Sequence, residues 1–312
     1  MAFHELARGQ GENLVGAFDD RTPVQDRSPC SPRDNPTDWS GPTRAYTGAV
    51  ARLKGAVVLI TGASSGIGEA TALAFARRNA RLALCARRAD RLHEVAGRCR
   101  RAGAREVVVR KVDVGRPAEA QDFVLTAHQL FDRIDVVVNN AGAGWKGMLA
   151  EMPEEKASSL VATNVMGTLW VTQAALPAML NARSGVIINV ASVVGFRAMP
   201  YSAVYSATKY AVVGMSHALR GELSGTGVKV SVVYPGTTDT EFFQGRPARG
   251  PLVHSAAHVA RAIVRTARWP RRDVVVLPYR LGMLAEPIFG GLLDHVMGEL
   301  RRRQYPHLQE PD

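Results

Sequence analysis

Val57-Val58-Leu59-Ile60-Thr61-Gly62-Ala63-Ser64-Ser65-Gly66-Ile67-Gly68-Glu69-Ala70 is the stretch on which the fold turns. The apolar run from Ala56 to Ile60 reads as a buried strand, and it passes directly into three glycines and an alanine-rich segment of helical character. A strand, a glycine-rich turn and a helix N-terminus together make an anion site, because backbone N–H groups and the positive end of the helix dipole point the same way. Side chains at Gly62, Gly66 or Gly68 would keep a pyrophosphate from the backbone, so glycine is required by the chemistry. Ser64, Ser65 and Ile67 belong to the same turn and are expected to contact the same ligand.

Outward from this turn, short β-branched runs alternate with longer amphipathic ones. Strands are predicted at Ala56–Ile60, Arg81–Cys85, Val107–Val112, Ile134–Asn139, Gly185–Val190, Val228–Tyr234 and Val274–Leu277. Helical periodicity covers Ala89–Ala102, Pro117–Phe131, Pro153–Leu180, Tyr201–Leu223 and Ser255–Trp269. Alternation of this kind builds βαβ crossovers. The nearly continuous apolarity of the strands suits a parallel sheet covered on both faces. The expected fold is α/β: one Rossmann-like, doubly wound domain over residues 51–278, with about seven parallel strands flanked by helices. Residues 1–50, rich in Pro, Asp, Arg and Ser, are predicted to form a disordered tail. Residues 279–312 are predicted to add a helical extension.

Composition narrows the function classes. Among 312 residues, 46% are hydrophobic and 21% charged, which is ordinary for a globular chain. The net charge of +11 invites a polyanionic partner, yet 33 of the 39 basic residues are Arg, 28 of them dispersed over residues 51–312. The tail itself carries −2 and leaves +13 on residues 51–312, so it is no basic arm, and no nucleic-acid partner is expected. Three cysteines, Cys30, Cys85 and Cys99, make neither a disulfide framework nor a metal pair, and no metal is expected. No run reaches the ~18 apolar residues of a spanning helix, and the first residues lack a leader pattern, so a cytoplasmic address is expected. Leu281, Met283, Leu284, Ile288 and Phe289 precede Arg301, Arg302 and Arg303. Packing of this extension on the substrate cleft or on a partner copy is preferred to a peripheral membrane contact.

Tyr205 and Lys209 lie four residues apart on a predicted helix, which puts both on one face. A free phenol is a poor proton shuttle at neutral pH, and a nearby cation is expected to favour its ionised form. Ser192 lies thirteen residues before Tyr205 at the end of the fifth predicted strand, where active-site groups of open α/β sheets collect. Thr61-Gly62-x-x-x-Gly66-x-Gly68 followed by Tyr205-x-x-x-Lys209 resembles the short-chain dehydrogenase/reductase family. Five more segments strengthen the resemblance: Asp113-Val114, Asn139-Asn140-Ala141-Gly142, Asn164, Ser192, and Pro235-Gly236 with Thr238 and Thr240.

The resemblance covers residues 53 to 278 and implies an oxidoreductase. It implies a catalytic set of Asn164, Ser192, Tyr205 and Lys209. Ser192 and Tyr205 would bind a carbonyl oxygen, Tyr205 would exchange the proton, Lys209 would also bind the nicotinamide ribose, and Asn164 would hold a relay water. Asp113 and Val114 would contact the adenine. Asn140, Ala141 and Gly142 would let the backbone pass the adenine ribose, with the Asn side chains bridging strand ends. Pro235, Gly236, Thr238 and Thr240 would meet the nicotinamide end. Ala86 stands where NAD-preferring relatives carry Asp, and Arg87 and Arg88 follow it, so NADP is expected over NAD. Ser65, where many NADP-preferring relatives are basic, departs from that pattern but can offer a hydroxyl.

The implied substrate is a small ketone, aldehyde or alcohol. Glu241, Phe242, Phe243 and the run to Pro251 read as a lid over an apolar one, although Phe242 and Phe243 can equally anchor the loop to the core. Alternatives are a 3-oxoacyl thioester reductase, a hydroxysteroid dehydrogenase, or a non-catalytic dinucleotide sensor or membrane-associated scaffold. Relatives commonly form homodimers or homotetramers, and this chain is expected to do the same.

Overall fold

In the computed structural model of the chain, residues 53–243 and 253–275 are described, with residues 291, 294–296 and 298–299 further on. The predicted tail at 1–50, much of the lid and most of the 279–312 extension lie outside the described residues.

Seven parallel strands form the central sheet in the order β3-β2-β1-β4-β5-β6-β9. They are β1 (Val57–Thr61), β2 (Arg81–Ala86), β3 (Glu106–Lys111), β4 (Val136–Asn139), β5 (Gly185–Val190), β6 (Val228–Tyr234) and β9 (Asp273–Val275). Two short parallel strands, β7 (Thr238–Asp239) and β8 (His254–Ser255), pair with each other beside it. The helices are α1 (Gly66–Ala76), α2 (Ala89–Arg101), α3 (Pro117–Phe131), α4 (Glu154–Val161), α5 (Gly167–Asn181), α6 (Ala203–Glu222) and α7 (Ala256–Arg268).

Strand pleating divides the core into two layers. Val58 and Ile60 of β1 pack with Leu82, Leu84, Val136 and Val138 under α1, α2 and α7. Their neighbours Val57 and Leu59 face Ala83, Cys85 and Val137 under α3 and α5. Both faces are therefore apolar, as a doubly covered parallel sheet requires. The strand order reverses between β1 and β4, and that switch point opens a crevice at their carboxyl ends.

Two predicted helices differ from expectation. The stretch from Pro153 to Leu180 is interrupted by a π-helical turn at Ala162–Met166. Asn164 lies inside it, and the wider turn accompanies a side chain that is bonded elsewhere. The helix predicted from Tyr201 begins at Ala203, because Tyr201 takes a left-handed conformation with φ of 60°. The last sheet strand starts one residue earlier than predicted, and its expected end at Leu277 lies outside the described residues.

Among the described residues, no helix is long and apolar enough to cross a membrane, and no group of three metal-ligating side chains occurs. Cys85 and Cys99 are buried free thiols. In the C-terminal extension, Asp294 pairs with Arg197 at 2.7 Å.

Candidate active site

The glycine turn is shaped by backbone packing as much as by any ligand. A β-carbon on Gly68 would lie 2.3 Å from the Gly62 carbonyl oxygen, and one on Gly62 would lie 2.7 Å from the Ala141 α-carbon. Gly62 and Gly66 both have positive φ, 65° and 57°. The first N–H groups of α1, which begins at Gly66, have no partner within the helix and point into the crevice end. A phosphate-bearing group fits this cradle, since the room that side chains would fill is left open beside uncommitted donors.

Asn140 ties the fourth strand to the first. Its amide donates to the Thr61 and Gly62 carbonyls at 3.0 and 3.2 Å, and the Thr61 hydroxyl accepts from the Asn140 and Ala141 N–H groups. Asn139 donates to Asn189 Oδ1 and Thr172 Oγ1, both at 2.9 Å, and Asn189 donates to Ser216 Oγ. Asp113 closes a turn by accepting the Gly115 N–H at 3.0 Å, and Val114 is buried against Gly167.

Two adjacent arginines end the second strand, and the structure distinguishes them. Arg88 donates through Nη2 to Ser65 Oγ at 2.6 Å and to Ser64 Oγ at 3.4 Å. Arg87 is exposed and makes no hydrogen bond or ion pair with a described residue. Of the two arginines expected near a 2′-phosphate, Arg88 is therefore the one bonded at the glycine turn. Both follow the end of β2 at Ala86, and Arg88 is the residue that opens α2.

Ser192, Tyr205 and Lys209 come together beyond β5. Ser192 is extended and caps a short 3₁₀ turn at Val193–Gly195, its hydroxyl accepting the Val194 N–H at 3.3 Å. Tyr205 and Lys209 are one helical turn apart on α6, and the ammonium lies 5.8 Å from the phenol ring centre. Lys209 Nζ donates to the Val190 carbonyl at 3.0 Å. Burial pushes the Tyr205 phenol up to about 12, against the opposing effect of Ser192. Burial likewise pulls Lys209 down to about 8. The ammonium is expected to draw the phenol downward; in the protein alone burial moves it upward, and the opposing cause is Ser192.

Asn164 is buried, with its side chain bonded to the loop after β4 and to α6. Its Oδ1 accepts the Ala143 N–H at 2.8 Å, and its Nδ2 donates to the Ala143 carbonyl and Thr208 Oγ1 at 3.0 Å. Asn164 therefore holds the loop after β4 against α6. Gly142, next to that contact, would place a β-carbon 3.7 Å from Lys209 Nζ.

The Pro-Gly segment closes the site. The Pro235 carbonyl accepts the Val193 N–H at 3.0 Å, Thr238 Oγ1 bonds the Gly236 carbonyl, and Thr240 packs on Gly66. Phe242 lies 5.6 Å from Tyr205, ring centre to ring centre, and its edge fills the space where Gly144 lacks a side chain. Trp145, Met152, Val193, Met199 and Val204 complete the apolar wall with buried Leu160 and Val194. Of this wall the sequence pointed to Phe242, whereas its other members come from separate segments without a shared period. A cavity of about 550 Å³ lined by Leu53, Arg78, Arg261, Arg265 and Trp269 lies at the amino ends of the strands, away from Tyr205.

The family model described as short chain dehydrogenase matches residues 56–249. An uncharacterized oxidoreductase of Staphylococcus saprophyticus is 40% identical over 61% of this chain and 76% of its own length. Another from Staphylococcus epidermidis is 36% identical over 71% of this chain and 94% of its own. Among solved structures, an alcohol dehydrogenase from Thermococcus sibiricus complexed with 5-hydroxy-NADP is 30% identical, with a TM-score of 0.66 over 71% of this chain and 95% of that one. A short chain dehydrogenase/reductase from Burkholderia phymatum in complex with NAD is 27% identical, with a TM-score of 0.69 over 80% and 96%.

Proposed function

Because the chain belongs to the short-chain dehydrogenase family and is thus an oxidoreductase of nicotinamide dinucleotides, we propose that it interconverts a ketone or aldehyde and the corresponding alcohol with NADP(H). One observation carries the proposal: the Ser192 hydroxyl is near enough to the Tyr205 phenol to favour its ionised form, and the Lys209 ammonium lies 5.8 Å from the phenol ring centre. That cluster lies at the carboxyl end of β5, in the same crevice as the glycine turn.

The bound nicotinamide would supply or accept the hydride. Everything else falls to the chain. The Ser192 hydroxyl and Tyr205 phenol are the two donors available to a carbonyl oxygen, and burial keeps the phenol in the protonated form that an acid in reduction must start from. As the oxygen becomes an alkoxide, the proton leaves the Tyr205 oxygen for it, and the adjacent ammonium stabilises the phenolate left behind. Oxidation reverses the transfer. Lys209, anchored on Val190, keeps further N–H donors for the ribose hydroxyls. Gly62, Gly66 and Gly68 would admit the pyrophosphate, and Arg88 with Ser64 and Ser65 would take the 2′-phosphate.

The Phe242, Trp145 and Met199 wall favours an apolar substrate and keeps water from the reacting carbon. Consumption of NADPH and NADH across a panel of ketones and aldehydes tests the reading. NADPH-dependent reduction of apolar carbonyls is expected. Absence of turnover on the whole panel in either direction would overturn it.

A further inference from the structure

Residues 240 to 242 touch three parts of the site at once. The Thr240 methyl group stands 3.1 Å from where a β-carbon on Gly66 would be. The Glu241 carboxylate accepts from Arg88 Nη1 at 2.9 Å and from Arg91 Nη2 at 3.2 Å. Phe242 lies against Tyr205. Arg88 is thus forked, one nitrogen on Ser65 beside the glycine turn and the other on a carboxylate from 153 residues later in the chain.

Two guanidiniums converging on one anion, with a serine hydroxyl bonded to one of them, are the donor set of a phosphate site. Glu241 already presents an anion there. A 2′-phosphate would draw on the same Arg88 donors, and the two negative groups would repel each other. A ribose without that phosphate brings neither effect.

We propose that Glu241 is a specificity-determining residue whose carboxylate competes with the 2′-phosphate of NADP for Arg88 and Arg91, and so sets how strongly phosphorylated dinucleotides are preferred. The inference rests on the assignment of Arg88 to the 2′-phosphate under the proposed function. It also explains why residues covering the catalytic phenol are joined to the adenosine end: they share one short turn.

Calorimetric titration of the full chain with NADPH, NADH, adenosine 2′,5′-bisphosphate and ADP tests it. Glu241→Gln keeps the shape and removes the charge. It is expected to bind NADPH and the bisphosphate about threefold or more tightly than wild type, the scale of exposed charge pairs, with NADH and ADP unchanged. On an Arg88→Gln background the same substitution should have a smaller effect, since only the share that runs through Arg91 and direct repulsion is left. An unchanged ratio of NADPH to NADH affinity in Glu241→Gln, or equal tightening of both, overturns the inference. A wild type that binds NADH more tightly overturns the cofactor assignment instead, and the shift in ratio caused by Glu241→Gln still decides the role of Glu241.

Discussion

The Lys209 ammonium donates to the Val190 carbonyl at 3.0 Å, which fastens the helix carrying the phenol to the last residue of β5. A charge buried there with a carbonyl partner burdens the fold while it serves the site. Its folded pKa, about 8, lies below the ordinary 10.5. Below pH 8 both folded and unfolded chains carry the proton, and the burial penalty is complete. Between about 8 and 10.5 the unfolded chain binds more protons, so stability rises with pH.

Lys209→Met is therefore expected to be more stable than wild type at pH 7, by on the order of 3 kcal/mol at most, and to lose turnover. The stability advantage should shrink toward pH 10.5. Urea unfolding at both pH values reads this directly, and an advantage independent of pH would contradict the burial argument.

Tyr205→Phe leaves the ring that packs on Phe242 and removes only the hydroxyl. Turnover is expected to fall about 10²- to 10⁴-fold, the usual range for a positioned acid, with dinucleotide affinity within about twofold of wild type. Equal losses in both would make Tyr205 a binding residue instead.

Gly68→Ala forces a β-carbon to within 2.3 Å of the Gly62 carbonyl oxygen, whereas Gly214→Ala on α6 meets nothing within 4 Å. The first should destabilise by about 1–3 kcal/mol or more and weaken dinucleotide binding. The second should stabilise by about 0.5–1 kcal/mol, since it only restricts the unfolded chain. Thermal melts with and without NADPH separate the two.

Asn164→Ala strips partners from both backbone groups of Ala143 and from Thr208. Buried groups left unpaired should lower stability by about 1–3 kcal/mol each, and dinucleotide affinity should fall with it as the loop after β4 loosens. If turnover drops while stability and affinity hold, Asn164 acts on the proton path and not on the loop.

Much of the architecture was legible because it is written in periods shorter than ten residues. The apolar run before Gly62 and the alternation of strand and helix describe local surfaces that must be covered, and one doubly wound sheet covers them all. The spacing of Tyr205 and Lys209 was legible for the same reason, since a helix converts four residues into one turn. The π-helical turn at Asn164 was not, because it depends on Ala143, 21 residues away. Nor was the left-handed Tyr201, which moved the start of α6 to Ala203.

The amino-acid sequence alone determined the fold class, the glycine turn after β1 and the one-turn separation of Tyr205 and Lys209, because each depends on residue type and short spacing. Tertiary structure decided which of two neighbouring arginines meets the serines, that Glu241 reaches Arg88, and that burial raises the phenol pKa and lowers that of the ammonium. Those outcomes depend on side-chain direction at a strand end, on contacts between distant segments and on exclusion of water, and such quantities exist only once the chain has closed on itself.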